Sequence, residues 1–325
     1  MHIRPELAAL RSNDAPQRLA QRELTRILDD WHRTGPGAAV ETEIADFHGG
    51  KDLDDLPLLG ALFDLRSDRI ESFLDTLLAP LLRKISDAPL GQSPLRCSTS
   101  EVSTAIMLAR CATTALVLHY TSGIGLAAQP EVDTASFIPA ETWDRVLAGA
   151  GEAVQVCLSG AGPDRADLQL NPVSLQVGDV RHRDGREEAL VLRSVPNSLV
   201  QLRLQRRIDN LLPVRQYRLA DGALVHQAAG TPRDSRLELT ATLLGRMKRR
   251  DAAPMLAAMA EEQGADGLRW QVLRECLGLD MATGFRALST IAERADDPLQ
   301  APAAALRATL IGMYPELKEL APCPA

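Results

Sequence analysis

The apolar residues of this chain change period twice along its length, and that change limits what the chain can fold into. Up to about residue 93 they recur with helical spacing. Leu24, Ile27, Leu28 and Trp31 fall on one helical face, with Asp14 and Pro16 as start signals and "TGPG" as the stop. Ile70, Phe73, Leu74, Leu77, Leu78, Leu81 and Leu82 form a second stripe, in which Pro80 predicts a kink or break. Between the two, the acidic "KDLDDLP" between Gly50 and Gly60 reads as loop. From about Pro94 the period becomes two, and after Gly230 it returns to 3.6. The pattern predicts helices at 15–33 and 68–86, mostly strand from 95 to 228, and helices again from 235 to 313.

Within the middle section, "VSTAIMLARCATTALVLHYTSG" reads as a hairpin. Further strands are expected near 135–139, 143–148, 153–158, 166–170, 173–177, 187–195, 198–206, 213–219 and 223–228. Asp221-Gly222 lies between two alternating runs, a strong hairpin signal. Some ten short strands joined by tight turns describe an antiparallel β-barrel or sandwich. The expected class is therefore α+β, organised as an N-terminal helical segment (1–93), a β-domain (94–230) and an α-helical domain (231–325).

Helices of about 11–15 residues joined by very short loops should form antiparallel hairpins in the last section. Trp270 shares a face with Leu273 and Leu277, and the next helix offers Phe285, Leu288 and Ile291. The indole is expected in or beside the seam of these helices, where truncation costs about 3–5 kcal/mol. The stretch "GLRWQVLRECLGLDMATGFRALSTIAERADDPLQAPAAALRATL" resembles a HEAT-type helical repeat. One or two units are too few for an independent solenoid, so the resemblance implies a cap.

Composition removes several function classes. A net charge of −7 is a poor match to a phosphate backbone, and the basic run "GRMKRRD" reads as a helix end. Only four of the 36 basic residues are Lys, an Arg excess that points to a GC-rich bacterial genome. The first residues lack an apolar run of signal-peptide length, and no window reaches a membrane span, so a cytoplasmic protein is expected. The five Cys (97, 111, 157, 276 and 323) show no CxxC pairing, and those in the β-section read as small core hydrophobes. No GxSxG, GxGxxG or P-loop signature occurs.

The segment "VRHRDGREEALVLRSVPNS" resembles a degenerate first motif of the cupins, small antiparallel barrels that hold a divalent metal. Gly178 precedes it, His182 stands where a His pair is usual, Glu187 or Glu188 follows, and "ALVLRSV" makes the strand. The resemblance implies His182, Glu188 and His226 as ligands of iron, zinc or manganese; the cupin's second motif is missing. The competing and preferred reading is a solvated turn with Asp184-Gly185 at its corner.

His119 alternates with Leu118 and Tyr120 and shares a face with Val117, so it either lines an interior or faces outward. His32 suits a helix end, and His48, in "DFHGGKD", reads as part of a flexible linker. Arg203, Arg206, Arg207, Arg215 and Arg218 come from strands expected to be neighbours. Arg203 and Arg215 could take a carboxylate or phosphate in two-point contact. The sequence thus supports a non-catalytic binding or protein-interaction protein, with no cofactor and either a protein partner or a small anionic ligand. Neither nucleic acid nor membrane is expected as a partner, and homodimerisation stays open. The alternative is a cupin-like metal-dependent enzyme, a dioxygenase or isomerase, acting on a small anionic substrate.

Overall fold

The structure is a computed structural model that describes Leu10 and residues 12–88, 90–162, 164–208 and 212–320. Cys323 and most of the first eleven residues, on which the leader expectation rests, lie outside the described residues. The chain forms two compact units. The first comprises the described residues of Met1–Ala135, Ala140–Ile208 and Arg218–Gly222; the second comprises those of Ser136–Pro139, Asp209–Tyr217 and Ala223–Ala325.

Among its described residues the first unit begins with the helices α1 (Ala15–Arg33), α2 (Gly35–His48), α3 (Pro57–Phe63) and α4 (Arg69–Asp87). α1 and α4 occupy the predicted spans, and Pro80 sits inside α4 without ending it. "KDLDDLP" is a connection containing a 3-10 turn over Leu53–Asp55, with Pro57 opening α3, but helix α2 ahead of it was not expected. Val40, Ile44 and Phe47 do carry a 4–3 spacing, but the run is short and bounded by glycines, and only burial reveals it: all three are fully buried. Gly35 turns the chain with φ +55°, and a Cβ on Gly37 would lie 2.0 Å from the Trp31 carbonyl oxygen. The α1–α2 corner therefore requires glycine. Glu43 accepts from the Leu58 and Leu59 amides at 3.0 and 2.7 Å, satisfying the start of α3. His48 belongs to this helical layer, with Nδ1 3.1 Å from Thr114 Oγ1, and not to a flexible linker.

The β-section contains β1 (Cys97–Thr99), β2 (Ser103–Cys111), β3 (Thr114–Ser122), β4 (Thr134–Phe137), β5 (Ala140–Gly149), β6 (Gly151–Ala161), β7 (Ala166–Leu175), β8 (Val180–Asp184), β9 (Glu188–Ser194), β10 (Ser198–Arg207), β11 (Val214–Arg218) and β12 (Leu224–Ala228). A five-residue helix, α5 (Gly123–Ala127), interrupts it. Three sheets form, in the orders β1-β2-β3-β10-β5-β8, β7-β6-β9 and β12-β11-β4. The pairings within the first two are antiparallel. Of the two expected forms, the layered one is present: the six-stranded sheet ends at β1 and β8 and does not close into a barrel. The two strands expected at 166–170 and 173–177 are the single strand β7. It tolerates Pro172 because it is an edge strand, where a missing N–H breaks no ladder.

The six-stranded sheet has two unlike faces. Leu202 and Leu204 of β10, with Leu108 and Leu116, join Leu24, Phe47, Leu77 and Leu81 in one apolar core beneath the helices. On the opposite face Val146 and Leu199 pack with Ala153, Leu175, Leu190 and Leu192 of the β7-β6-β9 sheet. The two sheets are thus stacked layers.

In the second unit, α6 (Pro232–Arg246), α7 (Ala253–Glu261), α8 (Asp266–Leu279), α9 (Met281–Glu293) and α10 (Gln300–Met313) follow the predicted order closely. Thr231 and Asp280 cap α6 and α9 by accepting from backbone amides. Leu256, Val272, Leu273, Phe285, Leu288 and Ile291 form the core. Trp270 is half-buried and packs only at the margin of that core. Its neighbour Arg269 is the buried residue, donating to Asp297 Oδ1 at 3.0 Å, to Asp297 Oδ2 at 2.5 Å and to the Ala260 carbonyl at 3.0 Å. Replacing Asp297 by Ala leaves this guanidinium uncompensated and should cost about 3–5 kcal/mol. Trp270→Ala, which empties a half-exposed site, should cost about 1–2 kcal/mol. Chemical denaturation of the two variants checks the order; the reverse ranking would show that the indole organises this core.

Candidate functional site

In an antiparallel ladder, directly opposed residues present their side chains to the same face. The register of β10 with β5 opposes Gln201 to Val146, Arg203 to Asp144 and Gln205 to Thr142. That of β10 with β3 opposes Gln201 to His119 and Arg203 to Val117, and that of β5 with β8 opposes Thr142 to Arg183 and Asp144 to Arg181. A bulge at Val200–Gln201 sets this alignment. His119, Asp144, Arg181, Arg183, Gln201 and Arg203 therefore share the face turned toward the β7-β6-β9 sheet.

Asp144 is the centre of this group. Its side chain is 2% exposed and accepts from Arg203 Nε at 2.6 Å and from a terminal nitrogen of the same guanidinium at 3.2 Å. Arg183 donates to Oδ2, the oxygen that also accepts from the Arg203 terminal nitrogen. Burial alone would raise the carboxyl's pKa, but Arg203 and Arg183 together outweigh it and hold the group below the usual carboxylate range. Burial pulls Arg183 below its ordinary value against the opposing charge of Asp144. The carboxylate lifts Arg203 above its own ordinary value, with burial opposing.

His119 stands beside Arg203. Burial holds its imidazole below the ordinary value, Arg203 pushes the same way, and Asp144 opposes. Its Nδ1 is buried and meets no hydrogen-bond partner among the described residues; the same holds for the Nε atoms of Arg181 and Arg183. Arg181 is anchored through a terminal nitrogen on the Ser174 carbonyl at 3.1 Å. Glu188, at the start of β9, is a further negative charge acting on Arg183. The site has three guanidiniums, two carboxylates and one imidazole held neutral near pH 7.

Of the residues singled out from sequence, Arg203 and His119 share this face, and Glu188 borders it. His182 points the other way. It is exposed, opposes Trp143 across β8 and β5, and stacks on that indole with ring centroids 4.4 Å apart. His226 lies in the second unit, exposed on β12 opposite Gln216. Arg215, on β11 of the same unit, lines a cavity of about 330 Å³ with Gln227 and Glu238. Among the described residues, no group of three or more His, Cys, Asp or Glu side chains could hold a metal ion. Within the first unit, His182 faces away from the side that Glu188 borders. The turn centred on Asp184-Gly185 is present, but β8 precedes it as a strand of its own.

Sequence reading missed Asp144, Arg181 and Arg183. "ETWDRV" looks like any half-buried strand, and only the β5–β10 register opposes its aspartate to Arg203. Arg206 faces the helical layer instead. Its guanidinium lies 4.2 Å from the centroid of the Phe47 ring and bonds Glu141 at 2.5 Å. Cys97 is exposed and Cys111 and Cys157 are half-buried, so none of the three is a core residue; Cys276 is buried, its thiol pushed up to about 11 by burial and by Asp280.

Asp144→Asn should destabilise the first unit by about 3–5 kcal/mol at neutral pH, because two largely buried guanidiniums lose their counter-charge. Since the carboxyl's pKa is lowered on folding, the stability it contributes is complete above its unfolded value, about 4. That contribution is lost as pH falls through the lower folded value. Arg203→Gln should therefore move the acid-unfolding midpoint upward, read by circular dichroism across an acid titration. An unchanged midpoint would mean that Asp144 does not depend on Arg203.

No protein-family model matches the chain. No curated protein matches it either. Solved structures with partial likeness include the 7S globulin of Momordica charantia (12% identity, 38% of this chain and 35% of that one, TM-score 0.27). A DMSP lyase overlaps at 17% identity over 58% of this chain and 93% of that one, with TM-score 0.27. A Klebsiella pneumoniae protein with a double-stranded β-helix domain overlaps at 11% identity over 34% of this chain and 81% of that one, with TM-score 0.24. The chain spans about a third of the globulin's length.

Proposed function

We propose that this protein binds a small anion, of carboxylate or phosphate type, on the polar inner face of its β-sandwich, within a cupin-like β-region lacking the cupin metal ligands. One observation carries the reading: Arg181 and Arg183 hold buried Nε donors that meet no acceptor among the described residues, and His119 Nδ1, three strands away on the same face, is likewise buried without a partner. Leaving buried donors unpaired costs about 1–3 kcal/mol each. An oxyanion supplies several acceptors at once, and the planar donor fork of arginine matches a carboxylate or phosphate in two-point contact. With three arginines against Asp144 and Glu188, the group retains one positive charge for a ligand to neutralise.

A second reading, that the site also performs acid–base chemistry, is favoured by His119. Its imidazole is held neutral beside Arg203, so it can accept a proton from a ligand anchored by the guanidiniums. The HEAT-like resemblance of the second unit fits either reading, as a helical surface accompanying the binding unit.

Isothermal titration at neutral pH with acetate, succinate, citrate and inorganic phosphate, and with succinamide as the uncharged control, tests the proposal. At least one anion should give saturable heat while the amide gives none. Arg181→Gln, which leaves the Asp144 pairs intact, should weaken binding about tenfold or more. Silence with all four anions would overturn the reading. Proton NMR of the bound anion over time tests the second reading: turnover abolished by His119→Gln supports it, and an unchanged spectrum sinks it.

A further inference from the structure

The second unit holds its own pocket. The cavity of about 330 Å³ is lined by Arg215 and Gln227 from the strands, by Glu238 of α6, and by Gly267 and Leu268 of α8. That volume is at the low end for small-molecule sites. Arg215 and Glu238 are both half-buried, and among the described residues neither side chain has an ion pair or hydrogen bond. They are not paired with each other. Burial raises the pKa of the Glu238 carboxyl, and Asp234 pushes it further up, so nothing nearby compensates its charge. Asp266, the other acid in the lining, already has Arg269 at 3.8 Å.

The floor of the pocket has a residue without a side chain. A Cβ built on Gly267 would lie 3.7 Å from Glu238 Oε1 and 3.8 Å from Gln227 Nε2. The carboxylate and the amide thus both reach the bare backbone at Gly267. A cation alone would satisfy Glu238 and leave Arg215 unpaired; an anion alone would do the reverse. Desolvating either charge without its partner is costly. A ligand bearing both charges satisfies both residues.

We infer that this cavity is a binding site for a zwitterionic small molecule of amino-acid type, with Arg215 taking the carboxylate and Glu238 and Gln227 the ammonium end. The site is independent of the anion site in the first unit and uses none of its residues.

Titration calorimetry on the full chain, with glycine, L-alanine, L-leucine and L-glutamine as probes, tests the assignment. Each is paired with its carboxamide and its N-acetyl derivative. At least one free amino acid should bind saturably, and both blocked forms should bind about tenfold more weakly or worse. Arg215→Gln should erase the preference for free carboxylate over carboxamide. Glu238→Gln should erase the preference for free amine over N-acetyl amine. Gly267→Ala, whose methyl makes only ordinary contacts, should weaken binding at unchanged thermal stability, which keeps the test alive if a charge variant fails to fold. Arg181→Gln should leave amino-acid binding untouched. Absence of binding by all four probes, or equal binding of free and blocked forms, would overturn the inference.

Discussion

One carboxylate, that of Asp144, links three adjacent strands of the six-stranded sheet. It sits on β5, takes a two-point contact from Arg203 on β10 and a further bond from Arg183 on β8, and is almost wholly excluded from solvent. Such an arrangement is stable only if it is complete. Removing the aspartate leaves two guanidiniums facing each other, and removing either guanidinium leaves a carboxylate that burial would otherwise neutralise. Everything else on that face is arranged around it. Arg183 and Arg203 are oriented by the aspartate, and the His119 imidazole is kept neutral partly by Arg203. The β10–β5 bulge brings Arg203 opposite Asp144 and not one residue away, which would send the guanidinium to the helical side.

The two faces of this sheet do different work for the same reason. The helical side is closed by Leu24, Phe47, Leu77 and Leu81, and it contributes most of the apolar burial of the first unit. Arg145, buried on that side, gives its terminal nitrogens to the protein, donating to the carbonyls of Leu62, Asp64 and Ser67 at 3.0, 3.0 and 2.9 Å. It tacks the α3–α4 connection onto the sheet. On the inner side, by contrast, Arg181 and Arg183 retain donors without protein acceptors. An arginine that is saturated by backbone is structural; one that is half-saturated at a half-buried face can recognise a ligand.

Arg269 in the second unit follows the saturated pattern. Asp297 and the Ala260 carbonyl occupy it, and the pair fixes α8 against the turn before α10. Arg215, a short distance along the chain from β10, is of the other kind. The two candidate ligand sites therefore share a physical criterion, an arginine whose charge the protein itself does not fully meet.

The amino-acid sequence by itself determined where the chain switches from helix to strand and back, because periods of 3.6 and 2 are local properties of the residues concerned. Helices α1 and α4, the β2–β3 hairpin and the five helices of the second unit were legible on that basis. Helix α2 was not, since Val40, Ile44 and Phe47 make a stripe too short to identify until the sheet beneath buries it. Nor was the buried role of Arg269 legible beside the larger Trp270, because a lone arginine in a helix reads as solvent-facing until Asp297 appears opposite it. His119 and Arg203 could be named as candidates, but which face they share and what they meet could not. Asp144 and Arg203 are 59 positions apart, and their pairing exists only through strand register and a bulge. Alternation says that successive side chains face opposite ways; only the stacking of the sheets decides which way is in. The tertiary structure decided the sites for that reason: charge complementarity between distant strands leaves no local trace in the sequence that encodes it.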